Sequence, residues 1–143
     1  MKSLQKRKIE MKTFVTKSLT DNNIKPTFPR MKIYEYLMEH KNHPSVDTVY
    51  QELVEEIPTL SRTTVYNTLH LFLERGLVQP ILINENEVRY DGDTTVHGHF
   101  LCRQCGKVHD IFFRDLTLDD ASLDGFDVEQ KQVYYTGICP QCK

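Results

Sequence analysis

No apolar run in this 143-residue chain approaches the roughly 18 residues that cross a bilayer. The opening stretch, MKSLQKRKIEMK, is basic but lacks an apolar core and a small-residue cleavage site, so it does not read as a secretory signal. The chain is therefore expected in the cytoplasm, with no membrane partner. Cysteine is scarce, with four residues only. In a reducing compartment, four thiols are not expected to form structural disulfides. Charge of one sign is lacking too. Eighteen Lys and Arg face twenty Asp and Glu, a net charge of −2 that excludes a generic polyanion binder. A composition of 27% charged and 39% hydrophobic residues is ordinary for a globular chain, long enough for one domain or two small ones.

What is there is unevenly distributed. Residues 1–75 hold 12 Lys and Arg against 9 Asp and Glu, whereas residues 76–143 hold 6 against 11. A mildly basic front and an acidic rear suit nucleic-acid contact in one half and metal chelation in the other.

The front half reads as helices. A first is expected over residues 12–22, ending near Asn22 and Asn23. In KPTFPRMKIYEYLMEH, Thr27 is an N-cap candidate and Pro29 sits in the first turn, where its missing N–H costs nothing. Ile33, Tyr34 and Leu37 give that helix one apolar face. HPSVDTVYQELVEEI restarts with Ser45 as cap. Val46, Val49, Tyr50, Leu53 and Ile57 then follow at helical spacing up to Pro58, the clearest amphipathic pattern in the chain. TLSRTTVYNTLHLFLERG is capped by Ser61 and closed by Gly76. On it Val65, Leu69 and Phe72 point one way, and Thr63, Asn67 and His70 the other, with Tyr66 on the flank. This outward face carries no acid before Glu74 and begins at Arg62. Short polar groups for base edges, an aromatic for a thymine methyl and an arginine for phosphate make a recognition helix. LVQPILI and EVRYD around NENE read as a hairpin, the wing. The alternative is a small helical bundle with a solvated third helix. The expected fold class is α+β, with a winged helix-turn-helix domain over 1–91 and a small α/β domain over 92–143.

The rear half carries the metal chemistry. Strands are expected at HFLCR, KVHDIFF and QVYYTGIC, with a short polar helix at TLDDASLDG. Cys102-x-x-Cys105 turns at Gly106, and Cys139-x-x-Cys142 ends the sequence. Two-residue spacing lets two thiolates of one turn take adjacent corners of a tetrahedron, and two such turns close a Zn2+ site of four thiolates. A redox dithiol would open a helix, whereas Gly106 and Lys107 lead into a strand. His97-Gly-His99 puts two imidazoles on one strand face. Asp91 lies six residues upstream of His97, Asp110 one strand away, and His43 before the second strong helix. Three nitrogen and two oxygen donors suit Fe2+, Mn2+, Co2+ or Zn2+ rather than Cu(I). The competing reading is surface polar residues beside a zinc knuckle. Spacing alone does not draw in His43, and His109 faces away from Asp110. An enzyme with open zinc on His97, His99 and an aspartate lacks any general base or pocket motif. A zinc-ribbon protein-binding module leaves the face from Arg62 to His70 unexplained.

IKPTFPR, HPSVDTVY, SRTTVYNTL, RYDGD, HGHFLCRQCGKVHD and YYTGICPQC, in this order, resemble the Fur family of metal-responsive bacterial repressors. The resemblance runs from about Ile24 to Cys142. It implies a homodimer whose winged helices read an AT-rich inverted repeat and whose rear unit dimerises. It also implies structural Zn2+ on Cys102, Cys105, Cys139 and Cys142. The family's regulatory Fe2+ or Mn2+ site falls on His43, Asp91, His97, His99 and Asp110. Its recognition tyrosine matches Tyr66, its minor-groove lysine matches Lys25, and Arg62, Thr63 and Asn67 lie on the recognition helix. Val96 and Gly98 stand where many iron and zinc sensors carry further histidines. The two aspartates with only two strand histidines most resemble the peroxide-sensing PerR subfamily. That resemblance implies oxidation at His43 or His97 and release of DNA, with reversible Fe2+ sensing as the alternative. On either reading the chain is not an enzyme.

Overall fold

The structure, a computed structural model, describes residues 3–84, 86–114 and 121–143. The chain divides into two compact units, Met1–Thr94 and Thr95–Lys143. The boundary expected after Asp91 lies at the end of a strand within the first of these.

The first unit is four helices and a hairpin: α1 (Leu4–Asp21), α2 (Phe28–His40), α3 (Val46–Leu53), α4 (Arg62–Glu74), β1 (Gln79–Asn84) and β2 (Glu87–Asp91). Helix α1 starts earlier than the expected residue 12. Ser3 caps it, its Oγ accepting the Lys6 N–H at 3.3 Å. It ends as expected: Asn23 turns left-handed at φ 57°, and the Ile24 N–H donates to the Leu19 carbonyl at 2.9 Å. Thr27 stands at the N-cap of α2 without a side-chain hydrogen bond, leaving Pro29 to preset the first turn. Ser45 and Ser61 do cap α3 and α4, each accepting an N–H three residues on at 3.1 Å.

Helix α3 stops at Leu53, short of Pro58. Glu55 and Glu56 would be the next turn, and acids at a helix C-terminus oppose its dipole. Ile57 is still buried, because the chain turns there, with the Ile57 N–H on the Leu53 carbonyl. Gly76, at φ 73°, ends α4 and lets the Leu77 N–H reach back to the Phe72 carbonyl at 2.9 Å. A side chain would be strained in that left-handed turn. The core of this unit is apolar throughout. Val15, Leu19, Ile33, Val49, Val65, Leu69 and Phe72 are fully buried, and the Tyr34 ring meets Phe72 edge-on at 5.7 Å. β1 and β2 pair antiparallel as the expected wing. Their tip includes Glu85, outside the described residues.

The second unit is a three-stranded sheet of β3 (Gly98–Cys102), β4 (Val108–Ile111) and β5 (Tyr134–Gly137) in the order β4-β3-β5. β3 pairs antiparallel with β4 and parallel with β5. A single 3-10 turn, Ala121–Leu123, is all that is described of the expected polar helix; residues 117–120 lie outside the described residues. Among the described residues of this unit, the only buried members of the hydrophobic class are Cys102 and Cys139. Among the described residues, no helix is long and apolar enough to cross a membrane.

Candidate metal centre and nucleic-acid interface

The thiol site is built from two tight turns. The Cys102 N–H donates to the Lys107 carbonyl and the Gly106 N–H to the Cys102 carbonyl, closing the turn between β3 and β4. Gly106 takes φ 75° there. β5 delivers the second pair, and the Arg103 N–H on the Gly137 carbonyl at 2.8 Å ties the turns together. Ligand atoms of Cys102, Cys105, Cys139 and Cys142 all lie within 4.8 Å of one another. Backbone N–H groups of Cys105 and Cys139 point at Cys102 Sγ, at 3.5 and 3.4 Å, and hold its thiol down to about 6. Hydrogen bonding to the Cys139 sulfur, then burial, pushes Cys142 up to about 12. The cluster thus has one thiol readily ionised and one that keeps its proton unless a cation displaces it. Four sulfurs this close together, with no other donor grouped with them among the described residues, suit Zn2+ in a closed structural site. This is the cluster that the cysteine spacing points to.

The second donor set is described unit by unit. In the first unit, Pro44 and Ser45 run alongside β2. The Tyr90 N–H donates to the Pro44 carbonyl at 3.0 Å, and Ser45 bridges to Arg89. This pairing carries buried His43, at φ 51°, to the end of the wing, where its Nε2 lies 3.5 Å from Asp91 Oδ2. The other oxygen of Asp91 accepts the Asp93 N–H at 2.9 Å, which orients the carboxylate. No local signal in the sequence pairs His43 with Asp91; only the short bridge to the wing does.

In the second unit, register sets Asp110 opposite His99. His97 Nε2 and His99 Nε2 both approach Asp110 Oδ1, at 3.1 and 3.4 Å. The two rings stand 4.6 Å apart, and both are buried. His97 Nδ1 lies 2.7 Å from the Thr95 carbonyl, which can only accept, so the ring proton belongs on Nδ1. The lone pair on Nε2 then faces a carboxylate oxygen. A proton on Nε2 or a bound cation reconciles the two, and this imidazole–carboxylate set fits Fe2+ or Mn2+. At Gly98 a Cβ would sit 2.9 Å from the tip of the Phe113 ring, so a side chain there would have to displace that ring. His109 falls on the opposite strand face, against the Phe100 ring at 6.4 Å.

On α4, Thr63, Tyr66, Asn67 and His70 are exposed while Val65, Leu69 and Phe72 are buried. The rings of Tyr66 and His70 stack at 6.0 Å. Arg62 differs from the expectation of a cation reserved for phosphate. Its Nε donates to Asp47 Oδ1 at 2.8 Å, and its guanidinium lies 4.2 Å from the Tyr50 ring centroid. The fork keeps its other donors. Lys25 is exposed in the loop before α2, and its carbonyl accepts from Arg30 at 3.1 Å.

The ferric uptake regulator family matches residues 21–136. The peroxide-responsive repressor PerR of Staphylococcus aureus (strain Mu50) is 32% identical over 129 residues, 88% of this chain and 87% of that protein. The crystal structure of the Vibrio cholerae ferric uptake regulator, Fur, shares 26% identity at a TM-score of 0.71, covering 87% of this chain and 98% of that one. PerR from Streptococcus pyogenes, solved for its peroxide sensing and gene regulation, shares 30% identity at a TM-score of 0.53, covering 93% of each chain. Matched by the family over most of its length and by these relatives over nearly nine-tenths of it, the chain belongs to the ferric uptake regulator family and is a metal-responsive regulator rather than an enzyme.

Proposed function

We propose that the chain represses transcription as a homodimer on an AT-rich inverted repeat in double-stranded DNA, and releases it when peroxide oxidises a ligand histidine. In this reading His43, Asp91, His97, His99 and Asp110 serve one regulatory Fe2+ or Mn2+. The observation that carries it is the approach of His97 and His99 to a single oxygen of Asp110, at 3.1 and 3.4 Å. An imidazole–carboxylate set holds a hard, exchangeable ion, whereas the thiolates hold Zn2+ permanently. Fe2+ held on these residues would supply the electrons that cleave hydrogen peroxide. His43 and His97 are the oxidation targets, and an oxygen added to the ring would weaken its nitrogen as a donor and free the ion. Lys25, Arg62, Thr63, Tyr66 and Asn67 contact DNA, with Tyr66 and Asn67 at base edges, Lys25 in the minor groove and Arg62 at phosphate. The exposed apolar side chains of the second unit, Phe112, Phe126, Val128, Tyr135 and Ile138, supply the surface on which two copies associate. Work in the cytoplasm follows from this role.

The relatives named peroxide-responsive support the peroxide reading. The likeness to an iron-uptake regulator at a TM-score of 0.71 supports reversible Fe2+ sensing as the second reading. Peroxide treatment of the anaerobic Fe2+ form, followed by peptide mass analysis, separates the two. One added oxygen on His43 or His97 with loss of DNA binding is expected. Unmodified histidines with DNA still bound would leave reversible iron sensing.

A further inference from the structure

The positive excess of the first unit lies in its first 21 residues. Residues 1–21 hold 6 Lys and Arg against 2 acids, while residues 22–94 hold 7 against 11. The winged helix proper is therefore acidic, although a DNA-binding surface has to offset phosphate charge. The positive excess sits in and just before α1, most of which precedes the matched family span at residues 21–136.

Helix α1 is held rigidly where it matters. Val15 and Leu19 are fully buried, and the Phe14 ring stacks on Tyr34 at 6.3 Å. Its first half runs on past this anchor. There Arg7, Lys8 and Lys12 line a cleft whose other wall runs from Pro26 to Glu35 and Glu39 on α2. Pro26 adjoins Lys25, so the α1 cations stand beside the loop that carries the proposed minor-groove lysine. Lys6, Arg7, Lys8 and Lys12 are exposed. Among the described residues none of them enters an ion pair, in contrast to Lys17, which binds Asp21 at 2.6 Å, and Lys32, which binds Glu56 at 2.8 Å.

We propose that α1 is a second DNA-binding element, with Arg7, Lys8 and Lys12 contacting backbone phosphates next to the groove that Lys25 enters. The inference rests on the DNA-binding reading above. It assigns sequence-independent affinity to α1 and base reading to α4.

The test uses the full-length chain loaded with Zn2+ and Mn2+. Its probe is a fluorescein-labelled duplex of random sequence, titrated by anisotropy across a range of NaCl concentrations. Glutamine keeps helix propensity while removing charge, so the variant is Arg7→Gln/Lys8→Gln/Lys12→Gln, checked for helix content and zinc. The slope of log affinity against log salt should fall by about 1 per contact, about 3 in all. Lys131→Gln, in the second unit, should leave the slope unchanged. An unchanged slope in the triple variant overturns the proposal. So does an equal loss per charge in Lys131→Gln, which would make the effect one of net charge alone. If the triple variant instead keeps the slope and loses adsorption to phosphatidylserine vesicles, α1 belongs to a membrane surface and the proposal falls. A wild-type chain that binds no duplex at all removes the DNA reading itself, a result distinct from all of these.

Discussion

The two units of this chain are stabilised by different physics. The first buries a contiguous set of apolar side chains, from Val15 on α1 to Phe72 on α4. Each such side chain contributes about 1.5–3 kcal/mol by leaving water. The second has no comparable core: its only buried members of the hydrophobic class among the described residues are Cys102 and Cys139 of the thiol cluster. A structural Zn2+ contributes apparent binding free energy of about 10–16 kcal/mol in small zinc-dependent peptides, equivalent to several buried leucines. The difference teaches where each unit is vulnerable. The first fails through cavities, the second through loss of thiolates. It also bears on the proposed sensor, because the strand that supplies Cys102 supplies His99, so zinc on the thiols would give those imidazoles a rigid base.

Four perturbations press on that contrast, in descending size of effect. Cys102→Ser should abolish zinc binding and unfold the second unit, while α1 to α4 keep their helical circular dichroism; truncation after Ile138, which removes Cys139 and Cys142, should do the same. If zinc is lost and the sheet amides stay protected from exchange, the unit has a core that burial does not reveal. Phe72→Ala should cost the first unit about 3–5 kcal/mol. Its denaturation midpoint would fall at constant zinc content, and a parallel loss of zinc would contradict the separation. Gly98→Val drives a side chain into the Phe113 ring and should cost about 1–3 kcal/mol by overpacking. Thermal unfolding of the second unit would show it. The smallest effect is on pH. Cys102 is held at about 6 in the folded unit, below its ordinary 9.0. A depressed value stabilises fully above 9.0, and the contribution is lost as pH falls through about 6. Zinc retention against a chromogenic chelator should therefore weaken on acidification through that region; retention that improves with acid would refute the assignment of Cys102 as the first thiolate.

The elements legible in the sequence were those with local causes. Ser45, Ser61 and Gly76 set helix ends through their own side chain or lack of one. The two C-x-x-C turns and the alternation in His97-Gly-His99 are likewise local. Less legible were features made by distant partners. The early start of α1 turns on Ser3 and on packing against α2. The end of α3 at Leu53 precedes the proline that punctuates the sequence. His43 approaches Asp91 only because Ser45 bridges to Arg89, a contact between residues far apart in the chain. Arg62 is held by Asp47 and Tyr50, which sit one helix earlier and whose spacing announces nothing.

The central claim is that a permanent thiolate site holds the second unit while a separate, exchangeable ion controls DNA binding. The most direct measurement is DNA binding by the zinc-loaded chain, with Mn2+ added and then chelated, while zinc content is followed in the same samples. The account predicts binding only with Mn2+, loss on chelation at unchanged zinc, and no response in His99→Ala, which keeps its fold and its zinc. DNA binding that ignores Mn2+, or that disappears only together with the zinc, would contradict it.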